Sequence, residues 1–110
     1  MCGIIGFLGQ FNSDAAKLNL SRMTASLYHR GPDDGAYWIS PGIAFGHRRL
    51  SVLELSNAGK QPMVSCSGRF TIVFNGEIYN HHELRRELKH KNWNGNSDTE
   101  TLLFAIEELG

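Results

Sequence analysis

Cys2 directly follows the initiator methionine and precedes the small residue Gly3, so removal of Met1 leaves one residue carrying both a thiol and a free α-amine. An α-amine and a thiol of comparable acidity exchange a proton near neutral pH, which activates the sulfur as a nucleophile without a separate histidine. Taken alone, a cysteine at position two reads more readily as a small buried hydrophobe. Arg48 and Arg49 are neighbours in a β-rich stretch. Successive strand side chains leave opposite faces, so only one of the two can enter a pocket, and both also read as solvated strand charges. Asp98 falls in the first turn of an expected helix, where the dipole favours an acid whatever its role. His29, His47 and His90 show no i, i+4 spacing suited to a metal, and the adjacent His81 and His82 are expected on different sides of a helix, so no metal site is expected. Cys66, between Ser65 and Ser67 and before Gly68, reads as a partly exposed spare thiol, and Trp38 and Trp93 as packing residues.

These side chains need elements to hold them. Cys2 to Leu8 is short, apolar and partly β-branched, which predicts a buried strand, and Gly3, Gly6 and Gly9 leave room for close backbone approach. From Asp14 to Tyr28, Ala16, Leu20, Met23 and Leu27 recur at helical spacing, with Ser13 or Asp14 as the cap. His29 to Gly35 contains two glycines and a proline and predicts a loop. Ala36 to Ile39 and Ile43 to Leu53 read as strands joined by a tight reversal at Ser40-Pro41-Gly42. Asn57 to Pro62 is expected as loop, and Phe70 to Phe74 as a further strand that stops at Asn75-Gly76, a pair tolerant of positive φ. Asn80 with Glu83 resembles a capping box for a helix through Lys91, marked by Leu84 and Leu88. Ser97 with Glu100 is a second box, followed by Leu102, Leu103, Ile106 and Leu109 at helical period.

With 110 residues the chain forms one domain at most. Its 11 basic and 11 acidic side chains balance, so no field favours nucleic acid, and no apolar run approaches the ~20 residues needed to cross a bilayer. The opening residues lack a basic leader and a cleavage site, and a cytoplasmic location is expected. Two cysteines outside any Cys-x-x-Cys pair do not build a disulfide scaffold.

Five segments, in order, carry a resemblance over nearly the whole chain: Met1 to Gly6, His29-Arg30-Gly31-Pro32-Asp33, Gly46-His47-Arg48-Arg49-Leu50-Ser51, Asn75-Gly76-Glu77-Ile78-Tyr79-Asn80 and Ser97-Asp98-Thr99-Glu100. Together they resemble the class II glutamine amidotransferases, and within that class most closely the glutaminase domain of glutamine-hydrolysing asparagine synthetases. The fold so implied is α+β, the α/β/β/α sandwich of antiparallel sheets found in N-terminal-nucleophile hydrolases. The resemblance implies Cys2 as nucleophile toward the side-chain amide of L-glutamine, and Asn75 with the Gly76 backbone N–H as oxyanion hole. Such donors make physical sense, because an amide side chain and an N–H at a strand-end glycine are fixed in place. Without the resemblance, Asn75-Gly76 reads as a plain hairpin turn.

By the same resemblance Arg49 binds the glutamine α-carboxylate, for which a planar guanidinium fork is suited. Leu50, Ser51, Val52 and Leu53 line the substrate with their backbone, Glu77 and Asp98 take the α-amino group, and the loop from His29 to Asp33 shapes the pocket. No cofactor is implied within these residues. ATP and Mg2+ belong to a C-terminal synthetase domain whose glycine-rich pyrophosphate loop does not occur here. Residues 1–110 are therefore expected to be the N-terminal part of an amidotransferase domain, an incomplete sandwich whose open edges and apolar faces predict a homodimer, aggregation or weak folding. Other readings stay open: an amidotransferase for a sugar, peptide or amino-sugar acceptor, or an inert unit that serves only in interaction.

Overall fold

The computed structural model describes residues 2–50 and 57–110. Eight elements follow in the order β1 (Gly3–Leu8), α1 (Ser13–Ser26), β2 (Asp34–Ser40), β3 (Ile43–Arg49), β4 (Met63–Val64), β5 (Thr71–Ile72), α2 (His81–Glu87) and α3 (Asp98–Leu109). Both sheets are antiparallel, one with strand order β1-β3-β2 and one of β4 and β5. The fold is thus α+β, as expected. Among the described residues no helix is long and apolar enough to cross a membrane.

Turn chemistry sets the larger sheet. Ser40 pairs with Ile43 across Pro41-Gly42, and Gly42 has φ +84°, a left-handed angle that favours glycine. Proline then glycine at the two central positions is the signature of a type II reversal, so β2 returns as β3 in fixed register. The Gly42 carbonyl also accepts from the Gly9 N–H at 3.0 Å, which ties the end of β1 to the same corner. β3, flanked on both sides, becomes the central strand. Alternation then sorts its side chains: Ala44 and Gly46 face α1, and Phe45, His47 and Arg49 face the other way. Gly46 is needed for the α1 contact, since a Cβ there would lie 2.8 Å from Thr24 Oγ1.

Helix α1 departs from expectation in two details. Its cap is Asn12, neither Ser13 nor Asp14; extended at that residue, the chain lets Asn12 Oδ1 accept from the Ala15 N–H at 2.7 Å. The buried face is Ala16, Leu20 and Thr24, with Met23 left 37% exposed. The gap over Gly46 is filled by the short Thr24, and Met23 lies about 100° round the helix from it. Strand β3 ends at Arg49, before the expected Leu53, because its partners run out: β1 starts opposite Arg48 and β2 opposite Arg49. Leu50 lies beyond the strand, and Ser51, Val52 and Leu53 are outside the described residues.

The second half keeps less regular structure than expected. Of Phe70 to Phe74 only Thr71 and Ile72 pair, with Met63 and Val64. Among the described residues the glycines with left-handed φ are Gly9, Gly42 and Gly68, so Gly76 is not used for positive φ. Its requirement is space, since a Cβ would meet the Phe74 ring at 2.8 Å. Helix α2 stops at Glu87, short of Lys91, because Lys91 turns back and donates to the Arg85 and Arg86 carbonyls at 3.2 Å each. Asn80 makes no side-chain cap, and the rings of His81 and His82 meet at 4.1 Å rather than diverging.

At α3 half of the capping box forms. Ser97 Oγ accepts from the Glu100 N–H at 3.1 Å, while the Glu100 carboxylate accepts from the Asn94 and Gly95 N–H groups at 2.8 and 3.0 Å. Glu100 is 1% exposed and faces the Arg85 guanidinium at 3.8 Å. Arg85 in turn donates to Thr101 Oγ1, the Gly95 carbonyl and the Ser97 carbonyl, and stacks on Trp93 at 4.2 Å. A buried ion pair persists only when its remaining donors and acceptors are satisfied, and this one meets that condition. Leu103 and Phe104 are buried, whereas Ile106 and Leu109, expected on the same stripe, are exposed. Trp38 stacks on Phe45 and Trp93 packs edge-on against Phe104, both as packing residues.

Candidate active site

The register of β1 on β3 pairs Gly3 with Arg48, which brings Cys2 to the end of β3. There the half-buried thiol lies against the peptide groups of Leu50: the Leu50 N–H donates to Sγ at 3.3 Å, and the thiol donates to the Leu50 carbonyl at 3.6 Å. Arg30 Nε donates to the Cys2 carbonyl at 3.4 Å, the Asp33 N–H donates to the Arg49 carbonyl at 3.0 Å, and Arg48 Nε donates to the Gly31 carbonyl at 2.8 Å. The loop expected to shape a pocket therefore grips both strand ends that carry the candidate residues. A 3-10 turn at Tyr28–Arg30 opens it, and the loop expected to continue to Gly35 ends at Asp33 because β2 already starts at Asp34.

The two arginines separate as alternation requires. Arg48 leaves toward Gly31 and lies 5.0 Å from the Tyr28 ring centre. Arg49 is buried, 7% exposed, on the face it shares with His47. A buried guanidinium on the side of Cys2 is suited to hold a carboxylate.

A second group gathers around the turn after β5. Asn75 is half-buried, and Gly76 and Glu77 are exposed. Asp98, 6% exposed, accepts from the Ile78 N–H at 2.8 Å through Oδ2, so the α3 N-terminus is tied to the turn just beyond Glu77. Asp98 thus has the structural role open to an acid at that position, with further lone pairs on the carboxylate for a second donor.

Three residues join the two groups, and sequence reasoning did not single them out for it. Gln61, 7% exposed, accepts from the Phe74 N–H at 2.6 Å and donates to Thr99 Oγ1 at 3.1 Å. His47, 2% exposed, lies beside the Phe74 backbone from the β3 side. Burial above all, together with the neighbouring Arg49 cation, lowers its pKa to about 4 against the raising influence of Phe74 and Asp34, so the ring is neutral at neutral pH. The one available signal was parity: His47 stands two residues before Arg49 on the same strand, hence on the same face. For Gln61 and Thr99 no local pattern pointed to a contact 38 positions apart.

Elsewhere, Cys66 is exposed in the β4–β5 connection. His81 is buried beside His82 and Arg85, and burial first, then the electrostatic influence of these two neighbours, holds its pKa below the ordinary histidine value. Among the described residues no group of three His, Cys, Asp or Glu side chains converges to hold a metal.

Comparison with known proteins sharpens this geometry. The whole chain, residues 1–110, matches the sequence model of a family described as a glutamine amidotransferase domain. It is 40% identical to asparagine synthetase [glutamine-hydrolyzing] 3 of Bacillus subtilis, over 98% of this chain and 18% of that protein. It is also 40% identical to asparagine synthetase [glutamine-hydrolyzing] 1 of the same organism, over 94% and 17%, respectively. Against asparagine synthetase [glutamine-hydrolyzing] 1 of Arabidopsis thaliana the identity is 35%, over 100% and 19%. The chain spans about a fifth of the length of these curated relatives.

Proposed function

The chain belongs to the glutamine amidotransferase family, and from that premise we propose that it hydrolyses the side-chain amide of L-glutamine with Cys2 as nucleophile. The observation that carries this reading is the Cys2 thiol lying against the Leu50 peptide, immediately after the buried Arg49. With Met1 removed, the Cys2 α-amine takes the thiol proton and the sulfur attacks the amide carbon. The carbonyl oxygen becomes an oxyanion, received by the Asn75 side-chain amide and the Gly76 N–H. One such donor lowers the barrier by about 3 kcal/mol. The C–N bond then breaks, ammonia departs with the proton held on the α-amine, and a thioester remains. Water attacks the thioester, releasing glutamate and restoring the thiol.

Arg49 holds the α-carboxylate, Glu77 and Asp98 the α-ammonium, and the backbone from Leu50 to Leu53 lines the substrate. Opposite charges at opposite ends match a zwitterion. This half-reaction needs no cofactor. Because the relatives are named asparagine synthetases, the ammonia acceptor we propose is aspartate, activated with ATP and Mg2+ by a synthetase domain outside residues 1–110.

Ammonia release from glutamine, measured together with trapping of the thioester, tests the reading. Cys2→Ala is expected to abolish both, a loss of at least about a thousandfold in kcat. Undiminished release in that variant overturns the proposal, and full activity in a chain with Met1 retained overturns the role of the α-amine.

A further inference from the structure

We propose that Gln61 is a positioning residue for the glutaminase site: it clamps the Phe74 N–H to the start of α3 and so sets the Asn75 and Gly76 donors. The proposal rests on the function assigned above.

Residues 73–78 belong to no helix and no strand. No ladder of backbone bonds therefore fixes them, and the two donors must be held by side chains. Phe74 is the residue gripped. Its N–H is taken by Gln61 Oε1 at 2.6 Å. Holding that N–H fixes the peptide plane that enters Phe74, one residue before Asn75 and the side chain it bears. The ring of Phe74 then folds over Gly76, where the absence of a Cβ leaves the space.

Gln61 is itself held. Its Nε2 donates to Thr99 Oγ1 at 3.1 Å, and Thr99, 4% exposed, sits next to Asp98, which takes the Ile78 N–H at 2.8 Å. Residues 74–78 are thus tied at both ends to the start of α3, through Gln61 and Thr99 at Phe74 and through Asp98 at Ile78. A side chain buried to this degree with both ends of its amide engaged has no freedom to release the turn. Misplacing a reacting group by about 1 Å costs on the order of a hundredfold in rate, so such a clamp acts on catalysis without touching substrate.

The test separates placement from binding and from folding. Gln61→Met keeps the volume and removes both hydrogen bonds; Thr99→Val removes the anchor, and Thr99→Ser restores it. Glutamine hydrolysis by the chain and inhibition by the aldehyde analogue of glutamine, which forms a hemithioacetal whose oxygen enters the oxyanion hole, are measured on folded protein. In Gln61→Met kcat is expected to fall about 10- to 100-fold, with KM within about threefold and the aldehyde weakened in parallel with kcat. Thr99→Val shows a smaller loss of the same kind, and Thr99→Ser is near wild type. Unchanged kcat in Gln61→Met, a parallel change in KM, or failure of both Gln61→Met and Thr99→Val to fold overturns the clamp. A wild-type chain whose activity is absent or survives Cys2→Ala overturns the glutaminase reading, and the clamp with it. Activity lost in Cys2→Ala but unaffected in Gln61→Met overturns the clamp alone.

Discussion

The proposed nucleophile and the turn proposed to receive its oxyanion are held by different physics. Cys2 and Arg49 stand at the ends of strands β1 and β3, whose antiparallel register is repeated from Gly3–Arg48 to Leu8–Ile43. No single side chain sets that register; each pair is supported by the next. Residues 57–110 contain one two-residue ladder, between β4 and β5, and outside helices α2 and α3 their order leans on buried polar side chains: Gln61, Asp98, Arg85 and Glu100. Each of these is a single point of failure. The comparison teaches that a site assembled from both halves is robust at the proposed nucleophile and fragile at the proposed oxyanion donors, and the contrast can be broken or sharpened by experiment.

The largest effect is expected at Arg85. Arg85→Met leaves Glu100 without its guanidinium in an interior where a broken buried pair costs about 3–5 kcal/mol, to be read by chemical denaturation. A cost below about 1 kcal/mol would show that the second half does not depend on this network. Next comes pH. His47 has its pKa lowered to about 4 in the folded chain against an ordinary 6.5, so the unfolded chain binds the proton more readily. Stability from this group is complete above about pH 6.5 and is lost as pH falls toward 4, by at most about 3 kcal/mol. Denaturation midpoints across that range should slope, and should flatten in His47→Asn; an equal slope in the variant would assign the dependence to another group. The smallest effect is expected in the first half, where Asn12→Ala removes one cap and costs about 1 kcal/mol in thermal unfolding, with glutamine turnover unchanged.

Local rules were legible in the chain. The Pro41-Gly42 reversal, the division of labour between Arg48 and Arg49, the strand that starts beside Cys2 and the cap at Ser97 all follow from spacing within a few residues. Where two local candidates competed, tertiary packing chose: Asn12 over Ser13 as cap, and Thr24 over Met23 on the buried face, because Gly46 leaves a gap only a short side chain fills. The Glu100 carboxylate likewise went to Asn94 and Gly95 rather than back to Ser97, once Arg85 was in place.

By itself, then, the sequence determined the residue types at the site, their order, the family and the faces on which strand residues stand, because backbone periodicity is a local property. Only the tertiary structure decided that the Cys2 thiol meets the Leu50 peptide, that Gln61 holds Phe74, and that Gly76 is glycine for space rather than for φ. Those are contacts between residues far apart along the chain, and hydrogen-bond partners of that kind are chosen by which buried polar groups would otherwise be left unsatisfied.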